Sequence, residues 1–537
     1  NIKCGNSLID DPTFAGEKAF NWNNEFPEVF SNGGFDVIIG NPPYVRHEII
    51  KEFKPSFQKE YETYLSTADL YVYFIELGIK ALKTNGLLGF INPNKFIKAS
   101  YGKNLKQFLS KLQIEQLIDF GELNVFQDAV TSPLILIISN KAFEYDAKYL
   151  QIQTLKNLDI NFSLISEAIS LKPEIFQQEK WNLISEQELS ILNKVQNNGI
   201  SIADNKELDI KRGLLTGLND AFIISEEIQN QIITKDPKST ELIKKFIDGD
   251  DVRKFEIRSK GKHLICIPSG YTDLQGDFED ENDAWLWLKT NFSGIAEFLE
   301  PFKEKAKKRT DKGKYWWELR ACDYYNLIDN PKIIYPEIAM SSRFAFDEES
   351  TYINKTIFLI NSSSLSLLGL LNSKLIWYYL MNICASLGDP KNGGRLNMQR
   401  IYLETISFPE HLIVENSDLT EPAKTVRTLY ASLNKKINRF RKRILNTESF
   451  GIDKLSKKLN EFYDYDFKTF LAELKKKKIE LSLSQQDEWE EYFDDYNKEI
   501  NELQSRINGI ENEIDNLIYK HYELTEEEIK IVENANA

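Results

Sequence analysis

The sequence predicts an α/β fold followed by an α+β domain and a helical tail, on three observations. Short apolar runs alternate with helically spaced segments through the first part of the chain. From residue 160 the loops become rich in Gly, Asp and Asn while strand-like and helix-like runs mix. From residue 415 the chain is Lys/Glu-rich and almost free of glycine.

The elements follow in order. Residues 35–40 (FDVIIG) are a nearly continuous apolar run ending at Gly and Pro, as a buried parallel strand should be. Residues 70–82 (LYVYFIELGIKAL) have helical spacing, and Asn85-Gly86 stops them. Residues 87–91 (LLGFI) are the next strand, 101–112 a second helix, 115–120 a third strand and 132–139 (SPLILIIS) a fourth. Strands alternating with helices make a doubly wound parallel sheet, which binds ligands in the loops beyond the strands' C-terminal ends. The expected domains are 1–150, 160–412 and 415–537. In the last, Trp489, Phe493, Tyr496, Ile500, Leu503, Ile507, Ile510, Ile514 and Leu517 alternate spacings of four and three, a coiled-coil-like packing seam without chemistry of its own.

Composition narrows the function. The 537 residues carry a formal net charge of −15, which argues against a protein that coats nucleic acid indiscriminately but not against a local basic surface. Residues 301–320 hold eight Lys/Arg against three acids, beside two tryptophans, and residues 435–443 (KKINRFRKR) hold six cations and no acid. The four cysteines and four histidines are scattered without ligand spacing, so neither a metal site nor a disulfide framework is expected and a reducing cytoplasm fits. No apolar run reaches the ~18 residues of a membrane span, so no membrane partner is expected.

The chemical motif is Asn41-Pro42-Pro43-Tyr44, directly after the 35–40 strand. The two prolines fix φ and lack N–H groups, so the loop is stiff and presents carbonyls. The Asn41 side-chain oxygen and the Pro42 carbonyl can each accept a hydrogen bond from an amine. Two acceptors on a conjugated amine draw its lone pair out of the ring and make it nucleophilic, and rigid acceptors need little reorganisation. Tyr44 offers a flat face to a base swung out of a duplex.

With its strand, FDVIIGNPPYV resembles motif IV of the gamma-type amino-methyltransferases. Residues 3–8 (KCGNSL) resemble their motif III, the end of a strand near the cofactor's adenine, which implies S-adenosylmethionine contacts for Asn6, Ser7 and Asn41; a turn role for Asn6 stands beside this. Residues 124–136 (NVFQDAVTSPLIL) resemble motif VIII, which implies that Phe126 stacks on the flipped base opposite Tyr44, where a plain reading makes it a core aromatic. Residues 211–224, 242–255, 302–320, 331–339 and 370–373 resemble the target-recognition domain of TaqI-like, type IIG and PglX-like enzymes, and 513–532 their C-terminus. The resemblance implies a partial Rossmann-like methyltransferase sheet, a DNA-specificity domain and site-specific adenine-N6 methylation of double-stranded DNA in a restriction–modification or phage-defence system.

The family's glycine-containing motif I should precede motif III and is not in the sequence. The expected partners therefore include an N-terminal cofactor-binding or nuclease portion, or other defence subunits; no nuclease motif is found in the chain itself. On this reading Lys303, Lys307, Lys308, Arg309, Lys312 and Lys314 form a phosphate clamp. Arg212, Thr216 and Asn219 sit in a glycine-rich loop near the backbone, and Arg343, Lys391, Arg395 and Arg400 suit phosphates or base edges. For each, a plain surface role is the alternative. Rival functions are a non-catalytic DNA-specificity subunit, an RNA or protein methyltransferase sharing the motif, and a cytosine-N4 methyltransferase, against which Asn41 weighs.

Overall fold

The computed structural model describes residues 2–121, 123, 125–126, 131–152, 155, 168–388, 393–413, 417–448 and 450–536. The chain divides into two compact units, Asn1–Ser190 and Ile191–Ala537.

The first unit is built on one six-stranded sheet: β1 (Phe35–Gly40), β2 (Leu82–Pro93), β3 (Gln113–Asp119), β4 (Pro133–Ser139), β5 (Ala147–Gln151) and β6 (Ile169–Leu171), in the order β1-β2-β4-β3-β5-β6. β1 runs parallel to β2, while β4 is antiparallel to both β2 and β3, and β3 is parallel to β5. The sheet is thus mixed, a correction to the all-parallel reading: β1, β2, β3 and β5 share one direction and β4 is inserted against it. An apolar run such as PLILIIS fits a doubly covered strand of either direction. Helices α1 (Tyr71–Ala81) and α2 (Lys103–Leu109) bury Tyr71, Val72, Ile75, Ile79, Leu105 and Leu109 against the sheet. β2 begins earlier than expected, because Asn85 takes a left-handed φ of 64° within the strand instead of ending the segment.

β1 is an edge strand with one open face. Its Val37 and Ile39 are exposed, as is Leu87 beside them.

The second unit contains two four-stranded sheets. One pairs Ile243–Ile247 with Lys262–Ile265 and Tyr352–Ile353, with Ile223–Ser225 at its edge. The other pairs Lys332–Pro336 with Ala345–Asp347 and Ile357–Ile360, with Ile210–Arg212 outermost. Their shared core includes Phe222, Phe246, Ile265, Trp285, Trp316, Trp317 and Ile334.

The same unit ends in helices. α3 (Lys374–Ile383) precedes the long α4 (Thr420–Asn446), α5 (Phe467–Lys476) and α6 (Leu483–His521). α6 has 39 residues and opens with a capping box in which Ser482 and Gln485 satisfy each other's backbone N–H groups. It packs along α4 and buries Phe493, Tyr496, Ile500, Ile507 and Ile514 of the expected seam. Phe440 of α4 stacks on Phe462 with centroids 3.9 Å apart and meets Trp489, Tyr492, Phe493 and Tyr496 of α6. The seam therefore packs within this chain.

Candidate active site

The C-terminal ends of β1, β2 and β3 lie at the same side of the sheet, because these strands are parallel. Gly40 ends β1 beside Phe90 of β2. A Cβ at Gly40 would come within 2.9 Å of the Phe90 ring, so glycine lets the strand reach the loop at this spacing. The loop that follows is Asn41-Pro42-Pro43-Tyr44, with Asn41 and Pro43 exposed and Pro42 buried.

The loop is tied at its far end. The Val45 N–H donates to the Pro43 carbonyl at 3.0 Å, the Leu70 N–H to the Val45 carbonyl at 2.9 Å, and the His47 N–H to Asp69 at 3.1 Å. Tyr44 is half-buried and its hydroxyl donates to the Ile91 carbonyl of β2 at 3.2 Å. Burial pushes its pKa up to about 12, so the phenol stays a neutral donor. Phe126 reaches the same place, its ring edge-on to that of Tyr44. The sequence-predicted aromatic pair is therefore brought together.

Two acceptors are left over. Neither the Asn41 side chain nor the Pro42 carbonyl has a hydrogen-bond partner among the described residues. A rigid loop at the C-terminal end of β1 thus carries two acceptors without a partner among the described residues, one on the exposed Asn41 and one on the buried Pro42, next to the Tyr44–Phe126 pair.

Sequence reasoning missed the neighbouring ends of β2 and β3. Asn92 is fully buried; its amide donates to the Pro93 carbonyl at 3.1 Å and its Oδ1 has no partner among the described residues. Asn94 donates to Asp119 at 2.9 Å, and Asp119 also accepts from the Gly121 N–H, which stiffens the β3 end that leads towards Phe126. The repeated Asn-Pro, at 41–42 and again at 92–93, is the signal that marks both strand ends.

Residues 3–8 do not form the expected strand. They make a turn with a single bridge between Asn6 and Ala19. Asn6 Oδ1 accepts the Leu8 N–H at 3.3 Å, the Asx-turn arrangement that short polar side chains favour over a strand, while its amide N–H groups have no partner among the described residues. The Ser7 carbonyl accepts the Trp22 indole N–H at 2.9 Å. Of the motif VIII resemblance, residues 124 and 127–130 lie outside the described residues, as does Lys391.

The second unit sorts the predicted DNA-contacting residues. Arg309 is buried, with 7% exposure, and donates to the carbonyls of Thr216, Trp316 and Glu318 at 2.6–2.8 Å and lies over the Phe222 ring. Burial lowers its pKa to about 10. It is a structural tie and not part of a phosphate clamp, a correction to the sequence reading: a guanidinium satisfied by backbone oxygens in a core cannot reach solvent. Thr216, itself buried, donates to Asn219 at 2.7 Å, so this pair shapes the glycine-rich loop. A Cβ at Gly213 would fall 2.1 Å from the Asn354 carbonyl oxygen, which explains glycine there by chain packing.

Other cations already have partners. Arg212 pairs with Glu337 at 2.6 Å and donates to the Lys355 carbonyl. Lys307 pairs with Glu281, Lys314 with Asp273, and Arg400 with Glu404, while Lys312 donates to the Lys307 carbonyl. Lys303, Lys308, Arg343 and Arg395 have neither an ion pair nor a hydrogen-bonding side-chain partner among the described residues. Burial and the neighbouring Arg253 lower the pKa of Arg343. Among the described residues no group of His, Cys, Asp and Glu is arranged to hold a metal ion, and no helix is long and apolar enough to cross a membrane.

Known proteins match in segments. Residues 1–126 match the Eco57I restriction-modification methylase family, residues 244–406 the TaqI-like C-terminal specificity domain, and residues 413–518 a domain of unknown function. Type II methyltransferase M.BstVI of Geobacillus stearothermophilus is 25% identical over 414 residues, 72% of this chain and 69% of that protein. Type II restriction enzyme and methyltransferase RM.Eco57I of Escherichia coli is 37% identical over 147 residues, 26% of this chain and 14% of that protein. Type II methyltransferase M.PaeR7I of Pseudomonas aeruginosa is 23% identical over 417 residues, covering 73% and 67%. The DNA complex of the type IIL restriction-modification enzyme MmeI overlays with a TM-score of 0.37 at 15% identity, over 93% of this chain and 58% of the other.

Proposed function

From the order of an Eco57I-type methylase segment followed by a TaqI-like specificity domain, which is that of a type IIG-like gamma-type methyltransferase with a recognition domain, we propose that this protein is a site-specific DNA adenine-N6 methyltransferase using S-adenosylmethionine, acting in a restriction–modification or phage-defence system. The observation that carries the reading is the pair of free acceptors, Asn41 Oδ1 and the Pro42 carbonyl, beside the half-buried Tyr44.

The amino group of adenine has two N–H bonds and a lone pair delocalised into the ring. Asn41 and Pro42 accept one N–H each, which pulls the nitrogen towards a tetrahedral shape and returns the pair to it. The prolines hold both oxygens in place, so little reorganisation is needed as positive charge develops on nitrogen. The methylated nitrogen is then acidic enough to lose its proton to water, and no general base is required. Tyr44 and Phe126 supply stacking for a base that has left the duplex.

S-adenosylmethionine, when bound, supplies an electrophilic methyl group. The residues present fit it in part. Asn6 keeps its amide N–H groups for an adenine ring nitrogen, and the open face at Val37 and Ile39 is apolar surface that a further cofactor-cradling segment, in this protein or a partner, would cover. In the recognition domain, Lys303, Lys308, Arg343 and Arg395 are the candidates for backbone or base contacts, since none of them forms an ion pair with a carboxylate among the described residues. The alternative, a non-catalytic specificity subunit, keeps DNA binding and lacks transfer.

The test is transfer of labelled methyl from S-adenosylmethionine to duplex DNA by the intact gene product and by Asn41→Ala. Loss of one preorganised acceptor should lower the rate by roughly 10²–10³ with DNA affinity kept. Methylation within tenfold of wild type would remove the acceptor mechanism, and DNA binding without transfer by the wild type would favour the specificity-subunit alternative.

A further inference from the structure

Residues 435–478 hold fourteen Lys/Arg against six Asp/Glu, within a chain whose acids outnumber its cations by 82 to 67; residues 479–537 hold four against seventeen. The basic stretch is organised by α4. Leu433, Ile437, Phe440 and Ile444 are buried, which fixes the rotation of the helix. Lys435, Arg439 and Lys442, four and three residues apart, then share an exposed face over about 10 Å of helix. None of the three has an ion pair among the described residues, whereas Lys436, on the flank, pairs with Glu499.

Beside this face, and sharing Lys442 with it, is an open cavity of about 480 Å³ whose polar lining is Asn438, Arg441, Lys442, Lys454 and Asn460, with Asp453 as its one acid. Arg441 is half-buried there. Its Nε and Nη2 donate to the Asn460 carbonyl at 2.9 and 2.7 Å, and its Nη1 to Asn438 Oδ1 at 3.2 Å. Both acceptors are neutral, no carboxylate of a described residue lies within 4.0 Å, and two of the five guanidinium N–H groups remain unused. Desolvating a cation without a counter-charge is costly, and an anion in the cavity would offset that cost. Arginine, with its planar fork of donors, suits a phosphate.

We propose that the Lys435–Arg439–Lys442 face and the cavity beside it bind the sugar-phosphate backbone of duplex DNA, with one phosphate against Arg441, Lys442 and Lys454, as an anchor separate from the residues that read sequence. The proposal rests on the protein acting on DNA. One strand of a duplex presents a phosphate per ~3.4 Å of axis, a repeating charge that three uncompensated cations over about 10 Å can follow and a single small anion cannot supply. Such contacts position the protein and carry no sequence information.

The test measures binding of the full chain to duplexes of about 40 base pairs of several sequences across a range of salt, for wild type and for Lys435→Gln/Arg439→Gln/Lys442→Gln/Lys454→Gln. All four side chains are exposed, so the variant should melt as the wild type does. The slope of log affinity against log salt should shrink by about 3–4, equally for every sequence. A second variant, Arg441→Lys, keeps the charge and loses the fork; it should weaken binding with its slope nearly unchanged. An unchanged slope in the fourfold variant, with the wild type binding DNA, overturns the anchor alone. A wild type that binds no duplex overturns the anchor together with the DNA reading. If instead the wild type self-associates and the fourfold variant does not, with DNA binding unaltered, the occupant is the acidic start of α6 from a second copy, and the anchor fails.

Discussion

The rings of Tyr44 and Phe126 meet edge to face, with centroids 6.3 Å apart and planes at 74°. A purine held between two aromatic faces needs those faces roughly parallel, so one ring has to turn when a base enters. Tyr44 is the fixed one, because its hydroxyl is anchored on the Ile91 carbonyl. Phe126 should therefore be the ring that moves. Phe126→Ala should weaken capture of the flipped base by about 1–3 kcal/mol, the usual worth of one base–aromatic stack. Tyr44→Phe, which keeps the face and loses the anchor, should cost less than Tyr44→Ala. Fluorescence of 2-aminopurine at the target position reads capture directly; equal losses for Tyr44→Phe and Tyr44→Ala would mean that the anchor, not the face, matters.

Arg309 and its lysine neighbours should separate cleanly into stability and binding. Arg309 spends its guanidinium on three buried carbonyls, and hydrogen bonds to a charged group contribute about 1.5–3 kcal/mol each. Arg309→Ala should therefore lower the thermal stability of the second unit by several kcal/mol, on the order of 3–5 for an uncompensated buried site. Lys303→Gln/Lys308→Gln should leave melting unchanged and reduce the salt slope of DNA binding by about 2. An Arg309→Ala protein that melts normally and only loses salt dependence would restore it to the clamp.

This contrast marks what the sequence can carry. The Asn-Pro-Pro-Tyr loop is legible because two adjacent prolines after an apolar strand leave few conformations open. The helical seam is legible because its period is sustained from Trp489 to Leu517. The direction of β4 is not, since an apolar run has no polarity. Nor is the fate of Arg309, because a run of Lys and Arg looks the same whether each side chain faces water or one of them turns inward. Its partners are backbone oxygens of residues 216, 316 and 318, and any sequence supplies those. The role of Asn6 is not legible either, since a short polar side chain can close an Asx turn on the Leu8 N–H with its oxygen and still present its amide to a ligand.

The aromatic cluster at one end of the α4–α6 pair should carry much of the stability of the helical region. Phe440 is fully buried and in ring contact with Phe462, Phe470 and four aromatics of α6. Phe440→Ala should cost about 3–5 kcal/mol by loss of contacts and creation of a cavity. Phe440→Leu, which refills part of it, should cost clearly less. Denaturant unfolding followed by tryptophan fluorescence reports on this region through Trp489; similar midpoints for the two variants would show that the site collapses around either side chain.

Asp515 gives the molecule a pH dependence of unusual sign. It lies on α6 against the start of α3, where it accepts the Lys374 N–H at 2.9 Å and has its side chain 5% exposed. Burial raises its pKa to about 6, while the Lys374 N–H bond and the charges of Lys254 and Lys374 oppose the rise. The folded value lies above the ordinary 3.8, so between about pH 4 and pH 6 the folded state holds more of this proton than the unfolded state does. The group's contribution to stability therefore grows as pH falls through about 6, and above that the buried carboxylate costs the fold up to about 3 kcal/mol. Asp515→Asn keeps an acceptor for the Lys374 N–H and removes the charge. Near pH 7.5 the variant should be more stable than the wild type, and the advantage should fade to nothing near pH 4. Only the difference between the two proteins is informative, because other carboxylates titrate over the same range in both. A difference in unfolding free energy that stays flat from pH 4 to 7.5 would show that the carboxylate is ionised throughout, held by Lys374 and Lys254 more strongly than burial opposes it.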